Sequence, residues 1–240
     1  MIEDETFSEK VLEFNKQLSG CSIDMPEGFN VINPFKGNQK DQVHELTVAF
    51  YTQYYNDKIP RKMILGSSPA RRGTAVTGVP FEDVCHLHEL AGLNIEGYSI
   101  NRSSSDFLQD VIINYGGREK FYLDFYMGFV CPLGITKTNS RGNEVNYNYY
   151  ESKKIENFLY PLIVKSIKSQ LNFGIDRTIC YCIGSGENFK FLKKVNECYS
   201  FFEKIIPLEH PRYIMQYNSS RKDYFMEKYL RAFSKRNGDK

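Results

Sequence analysis

Apolar residues at the start of the chain return every three or four positions. Phe7, Val11, Phe14 and Leu18 fall on one face and predict an amphipathic helix that ends at Ser19-Gly20. A loop with Pro26, Gly28, Pro34 and Gly37 follows. Val43, Leu46 and Phe50 then predict a second helix, closing before Pro60. The period changes at "KMILGSS", a short apolar run that stops in a turn and reads as a buried strand. Helical spacing resumes over Phe81–Leu90 and Ser104–Ile113. "KFYLDFYMGFVCPLG" is rich in aromatic and β-branched residues and breaks at Pro132, so it predicts a second strand. "TKTNSRGNEVNYNYYES" is polar, tyrosine-rich and without period, the pattern of a loop. A long helix spans Ser152–Leu171, with Pro161 as a point of kinking. "TICYCIGSG" predicts a third strand, "ENFKFLKKVNECY" a helix, and "KIIPLEHP" a fourth strand ending at His210-Pro211. The last helix, about Arg221–Phe233, sets Phe225 and Tyr229 on one face and cations on the other.

Strands separated by helix-length segments predict an α/β fold: a central four-stranded parallel sheet flanked by helices on both faces. No repeat or linker divides the chain, so residues 1–240 read as one domain. A helical N-terminal segment takes about 1–60, an α/β core about 61–217, and a basic C-terminal helix about 221–233. In such sheets ligands bind outside the carboxyl ends of the strands. The informative residues therefore follow each strand: Gly66 to Phe81, Gly128 to Leu133, Gly184 to Glu187, and His210 onward.

Composition narrows the classes. With 240 residues, 41% of them hydrophobic, the chain can build a sizeable core, and a net charge of +2 permits a nucleic-acid partner without announcing one. Six cysteines without a C-x-x-C pair argue against a zinc ribbon or an iron–sulfur cluster. Most of them lie in apolar runs, as buried thiols of a reducing compartment do. Cys85, His88 and Glu89 share a helical face, but no second ligand cluster accompanies them, and no metal or cofactor is expected. The acidic, polar N-terminus is not a signal peptide, and no apolar run approaches the ~18 residues of a membrane span. The expectation is a cytoplasmic, membrane-independent monomer.

The strand ends supply the chemistry. Gly66 lets backbone approach a ligand closely, and Phe81, just past Pro80, offers a ring to stack on a flat partner. "GSGENF", with Ser185 at its turn, opens a helix whose free N–H groups suit a phosphate. His210 stands directly after the fourth strand. A flat-ring slot, a phosphate-binding helix terminus, a histidine and a basic last helix together suggest a nucleobase held outside its stack. Arg71, Arg72 and the cations of "RKDYFMEKYLRAFSKR" are placed to hold flanking phosphates. Each feature also has a plain reading: core packing for Phe81, a turn cap for Ser68, solvated charges for the arginines.

The motifs and their order resemble the uracil-DNA glycosylase superfamily, and within it the single-strand-selective monofunctional enzymes and their bacterial relatives. "GSSPA" and, after a short loop from Arg71, "TGVPF" match the family's first motif, G-x-N-P-G followed by T-G-x-P-F. Cys131, Pro132 and Leu133 match the C-P-L that ends its middle strand, and His210-Pro211, in "HPRYIMQY", match the start of its second motif. The resemblance implies a cofactor-free DNA glycosylase acting on DNA, single- or double-stranded, that contains a damaged base. It casts Phe81 as the ring that stacks on the flipped base and His210 as the donor to uracil O2 while charge develops there. It casts Ser68 as the residue that places the attacking water. Gly66, Ser67 and Phe129 fall at its base pocket, and Ser185 and Arg212 join Arg71 and Arg72 as DNA contacts.

Two positions depart from the family pattern. Ser68 stands where an asparagine or aspartate is usual, and Phe129 stands where an asparagine reads the uracil edge. A hydroxyl orients water but is a poor base at neutral pH, and a phenyl ring makes no edge hydrogen bonds. Glu82, Asp83 and, on the second strand, Asp124 are the carboxylates near enough in sequence to compensate. A deaminated base other than uracil, a DNA-binding homologue without the chemistry, and an enzyme of free nucleosides all remain open at this stage.

Overall fold

The structure, a computed structural model, describes residues 5–93 and 103–234. The chain begins with α1 (Phe7–Ser19), β1 (Phe29–Ile32) and α2 (Lys40–Tyr55), then enters the central sheet with β2 (Arg61–Gly66). The short α3 (Thr74–Thr77), α4 (Val84–Ala91), α5 (Ser103–Tyr115) and α6 (Arg118–Asp124) lead to β3 (Phe125–Phe129). A hairpin of β4 (Gly134–Thr138) and β5 (Glu144–Tyr147) precedes α7 (Lys153–Leu171). Then come β6 (Ile175–Ile183), α8 (Glu187–Tyr199), β7 (Lys204–Leu208), α9 (Pro211–Tyr217) and α10 (Lys222–Phe233). The four parallel strands stand in the order β3-β2-β6-β7. The fold is the expected α/β architecture around a four-stranded parallel sheet. The in-and-out alternation of a half-wetted sheet is absent from β2, buried at five of its six positions, and from the edge strand β3, buried at all five, because helices cover both faces of a parallel sheet.

Pairing continues past the strand ends. Val130 N donates to Gly66 O and Cys131 N to Ser67 O, each at 2.9 Å, so the start of the loop after β2 is stitched to the chain leaving β3. The other end of β2 is fixed by Arg61, which is 0% exposed. Its guanidinium donates to both Asp57 carboxylate oxygens at 2.8 Å and to three backbone carbonyls, and it lies over the rings of Phe7 and Tyr55. Among the described residues no helix is long and apolar enough to cross a membrane.

Five local expectations are corrected. "KFYLD" is not strand but the body of α6, in which Phe121 and Tyr122 are buried while Leu123 and Asp124 are exposed; an apolar run alone does not separate a buried helix from a strand. The polar segment after Leu133 is not loop. β4 pairs antiparallel with β5 and with β1, making a second, three-stranded sheet and placing a strand inside the N-terminal segment read as helical. β5 has no buried position, so it carries no period-2 signal and is held by backbone pairing. The helix expected from Phe81 begins at Val84, since Phe81 has φ of +58° and Asp83 is the N-cap. The segment after His210-Pro211, to which the periodicity gives no element, is α9, with Pro211 at its first position. By contrast, α7 runs unbroken through Pro161.

Candidate active site

Beyond the carboxyl ends of β2, β6 and β7 and the loop after β3 lies one cleft of about 1190 Å³. Ser67, Ser68, Arg71 and Arg72 enter it from the loop after β2, and Phe81 from the end of that loop. Phe129 comes from β3, and His210 and Arg212 from the start of α9. Residues from opposite ends of the α/β core thus face one space. Gly66 lies beneath: a Cβ there would meet Phe81 Cζ at 2.8 Å and Phe129 Cδ1 at 3.0 Å. Glycine is required because two rings close over its Cα. Those rings stand 5.5 Å apart between centroids, tilted by 35°. Phe81 is one of two non-glycine residues with positive φ among the described residues, a conformation that a side chain seldom adopts without being held.

His210 is the N-cap of α9. Its Nδ1 accepts the backbone N–H of Arg212 at 3.1 Å. That leaves the ring proton of the neutral imidazole on Nε2, as a donor. Burial, and then the Arg212 charge, push its pKa down to about 4, so the ring is neutral near pH 7. The site therefore offers a neutral N–H donor fixed in one tautomer.

Sequence reasoning missed part of the lining. Asn146, Tyr147, Asn148 and Tyr150, from β5 and the turn after it, form one wall. Arg71 N donates to Asn146 Oδ1 at 2.9 Å, and Ser67 Oγ donates to Asn148 Oδ1 at 3.4 Å. The signal present was the density of asparagine and tyrosine in "NEVNYNYY"; what brings it to the cleft is pairing with β4, which no local period encodes. Ser185 is exposed in the turn before α8 and is not in the lining, although Gly184 and Gly186 on either side are.

The compensating carboxylates are not free. Glu82 is buried, with Oε1 accepting from Arg118 Nη2 at 3.1 Å, Arg118 Nε at 3.2 Å and Asp83 N at 2.9 Å, and Oε2 from the Tyr122 hydroxyl. Asp83 caps α4. Asp124 is the last residue of α6, not a strand residue; it accepts from Tyr115 at the amino end of β3, away from the cleft. The cations of the last helix are engaged as well: Lys222 with Asp110, Lys228 with Glu209 and Arg231 with Glu227. Arg221 lies over the rings of Tyr224 and Phe225, and Lys235 and Arg236 lie outside the described residues. Cys85 is exposed, and no group of three or more metal-capable side chains occurs among the described residues.

The family model of the uracil DNA glycosylase superfamily matches residues 52–234. The crystal structure of wild-type SMUG2 from Pedobacter heparinus is similar at a TM-score of 0.88 and 43% identity, over 95% of this chain and 97% of its own. No curated protein matches the chain. These likenesses support a uracil-DNA glycosylase-like hydrolase whose partner is DNA. By family model, by likeness along nearly its whole length and by the motif residues gathered in the cleft, the chain belongs to the uracil-DNA glycosylase superfamily.

Proposed function

We propose that the protein is a monofunctional DNA glycosylase that hydrolyses the N-glycosidic bond of uracil or a related deaminated base in DNA. The observation that carries this reading is His210: a neutral imidazole, its tautomer set by Arg212 N, sharing the cleft with Phe81 and Ser68. As the bond from C1′ to the base breaks, its electron pair moves into the base and onto the carbonyl oxygen. An Nε2–H donor stabilises that oxygen without supplying a full charge. The sugar becomes oxocarbenium-like, and a water oriented by Ser68 adds to C1′. Its proton passes to solvent or to the departing base, since a serine hydroxyl orients but does not deprotonate. No lysine lines the cleft among the described residues, which supports direct hydrolysis over a Schiff base.

Phe81 stacks on the extruded base in this reading, and Phe129 backs it. In this reading the edge hydrogen bonds that Phe129 lacks come from Ser67 Oγ as an acceptor and from the second Nδ2 proton of Asn148, whose first goes to Glu151 Oε1. Arg71, Arg72 and Arg212 line the rim for phosphates, and Tyr213 and Tyr217, 49% and 76% exposed beside Arg212, suit stacking on flanking bases. A second reading, a DNA-binding homologue with little activity, is favoured by one observation: the carboxylates lining the cleft, Glu82 and Glu187, are both ion-paired.

Base release from labelled single- and double-stranded oligonucleotides, each with one uracil, hypoxanthine or xanthine, separates the two. A glycosylase leaves alkali-labile sites, and release collapses in His210→Ala and falls in Ser68→Ala. Retained DNA binding with no release from any substrate overturns the enzyme reading.

A further inference from the structure

Phe81 poses a physical problem. Its φ of +58° is uphill for any residue with a Cβ. The next residue, Glu82, is a buried carboxylate, a group that proteins bury only when it is paired and hydrogen-bonded. Its partners, Arg118 and Tyr122, stand four residues apart on α6 and therefore share one face of that helix. Arg118 is itself held by Gln109 of α5. The fit is anchored further: Asp83 N closes back on Glu82 Oε1, and Phe81 N reaches Thr74 Oγ1 at 3.4 Å. The residue adjacent to the cleft's stacking ring is thus pinned by a charge pair to a helix that takes no other part in the site.

We propose that Glu82 is a positioning residue: through Arg118 and Tyr122 it holds Phe81 in the left-handed conformation that aims its ring into the cleft. Glu82 does not activate water, because three donor groups occupy Oε1 and Oε2. It acts through Phe81 alone. The inference rests on the reading of the cleft as a base pocket for its catalytic consequence, but not for its conformational one.

The chain has no tryptophan, so Phe81→Trp provides a single fluorophore at the ring in question. Time-resolved anisotropy of Phe81→Trp is compared with that of Phe81→Trp/Glu82→Gln, and of Phe81→Trp/Tyr122→Phe in case the first pair folds poorly. The clamp predicts a faster, wider local motion of the indole in the cut variants while overall tumbling and far-ultraviolet dichroism stay unchanged. Equal local motion in all three overturns it. This readout needs no activity, so its failure is distinct from failure of the glycosylase reading, which wild-type base release decides.

In the release assay, Glu82→Gln is expected to slow single-turnover release roughly 10- to 100-fold, the scale of a small misplacement at a reacting centre. Affinity for abasic DNA, which has no base to stack, stays near that of wild type. Combining Glu82→Gln with Phe81→Ala is expected to be no worse than Phe81→Ala alone, because the clamp has nothing left to hold. Losses that multiply in the double variant assign Glu82 a general structural role and overturn the proposal.

Discussion

At the residue scale, one methyl group and one proton decide the pocket. Gly66→Ala places a carbon 2.8 Å from the Phe81 ring and 3.0 Å from that of Phe129. The rings must part, at about 1–3 kcal/mol of overpacking, and base release is expected to fall on the order of 100-fold. Single-turnover kinetics beside a urea titration read both effects, and unchanged kinetics would show that the rings do not need this contact. His210 makes a sharper claim. Its folded-state pKa is pushed down to about 4 from 6.5, so the folded protein resists a proton that the unfolded chain accepts. The stability this contributes is fully present above about pH 6.5 and is lost as pH falls from there toward 4. Activity should accordingly show no histidine limb between about pH 5 and 8. A limb near 6.5 in kcat/KM that vanishes in His210→Gln would mean that the donor is a solvated, titrating imidazole.

At the element scale, the sheet end opposite the cleft is tied together by one buried guanidinium. Arg61 ties the α2–β2 turn to α6 and lies between rings of α1 and α2. Its carboxylate partner Asp57 is held below its usual pKa, first by the Arg61 hydrogen bond. Asp57→Ala leaves that guanidinium with carbonyls only and is expected to cost about 3 kcal/mol in urea unfolding, with base release at 25 °C unchanged. A loss below about 1 kcal/mol would show the carbonyls and rings suffice. Elements of this kind were legible where they carry a period. Phe7, Val11, Phe14 and Leu18 give α1, and "MILG" gives β2, because burial on one face or on both writes itself into the sequence. α6 was not legible, since Phe121, Tyr122, Phe125 and Tyr126 read alike in a strand or a buried helix. Nor was the β1-β4-β5 sheet, whose outer strand buries nothing. The site divides the same way. Gly66, Phe81 and His210 sit in local motifs at strand ends, whereas Asn146 and Asn148 reach the cleft by pairing at a distance, and Arg118, outside the lining, reaches Glu82 from the helix whose body looked like a strand.

At the scale of the whole molecule, the net charge of +2 cannot draw in DNA over long range; affinity must come from a few cations at the cleft. The cations of α10 that form ion pairs with Asp110, Glu209 and Glu227 add little to such a field, which leaves Arg71, Arg72 and Arg212 as the cationic side chains in the lining. Three phosphate contacts predict a slope of log affinity against log salt of roughly −2 on a single strand and nearly −3 on a duplex. Between 50 and 200 mM salt that is a loss of about 20- to 40-fold, far less than for a strongly basic DNA-binding domain. Removing Arg71 and Arg72 together should flatten the slope by about 1.4 on a single strand and about 1.8 on a duplex, and Lys222→Ala with Arg231→Ala should leave it unchanged. Fluorescence anisotropy with an abasic oligonucleotide across a salt series measures all three. If the α10 variant flattens the slope instead, DNA crosses the molecule along its C-terminal helix, and the ion pairs there open when it binds.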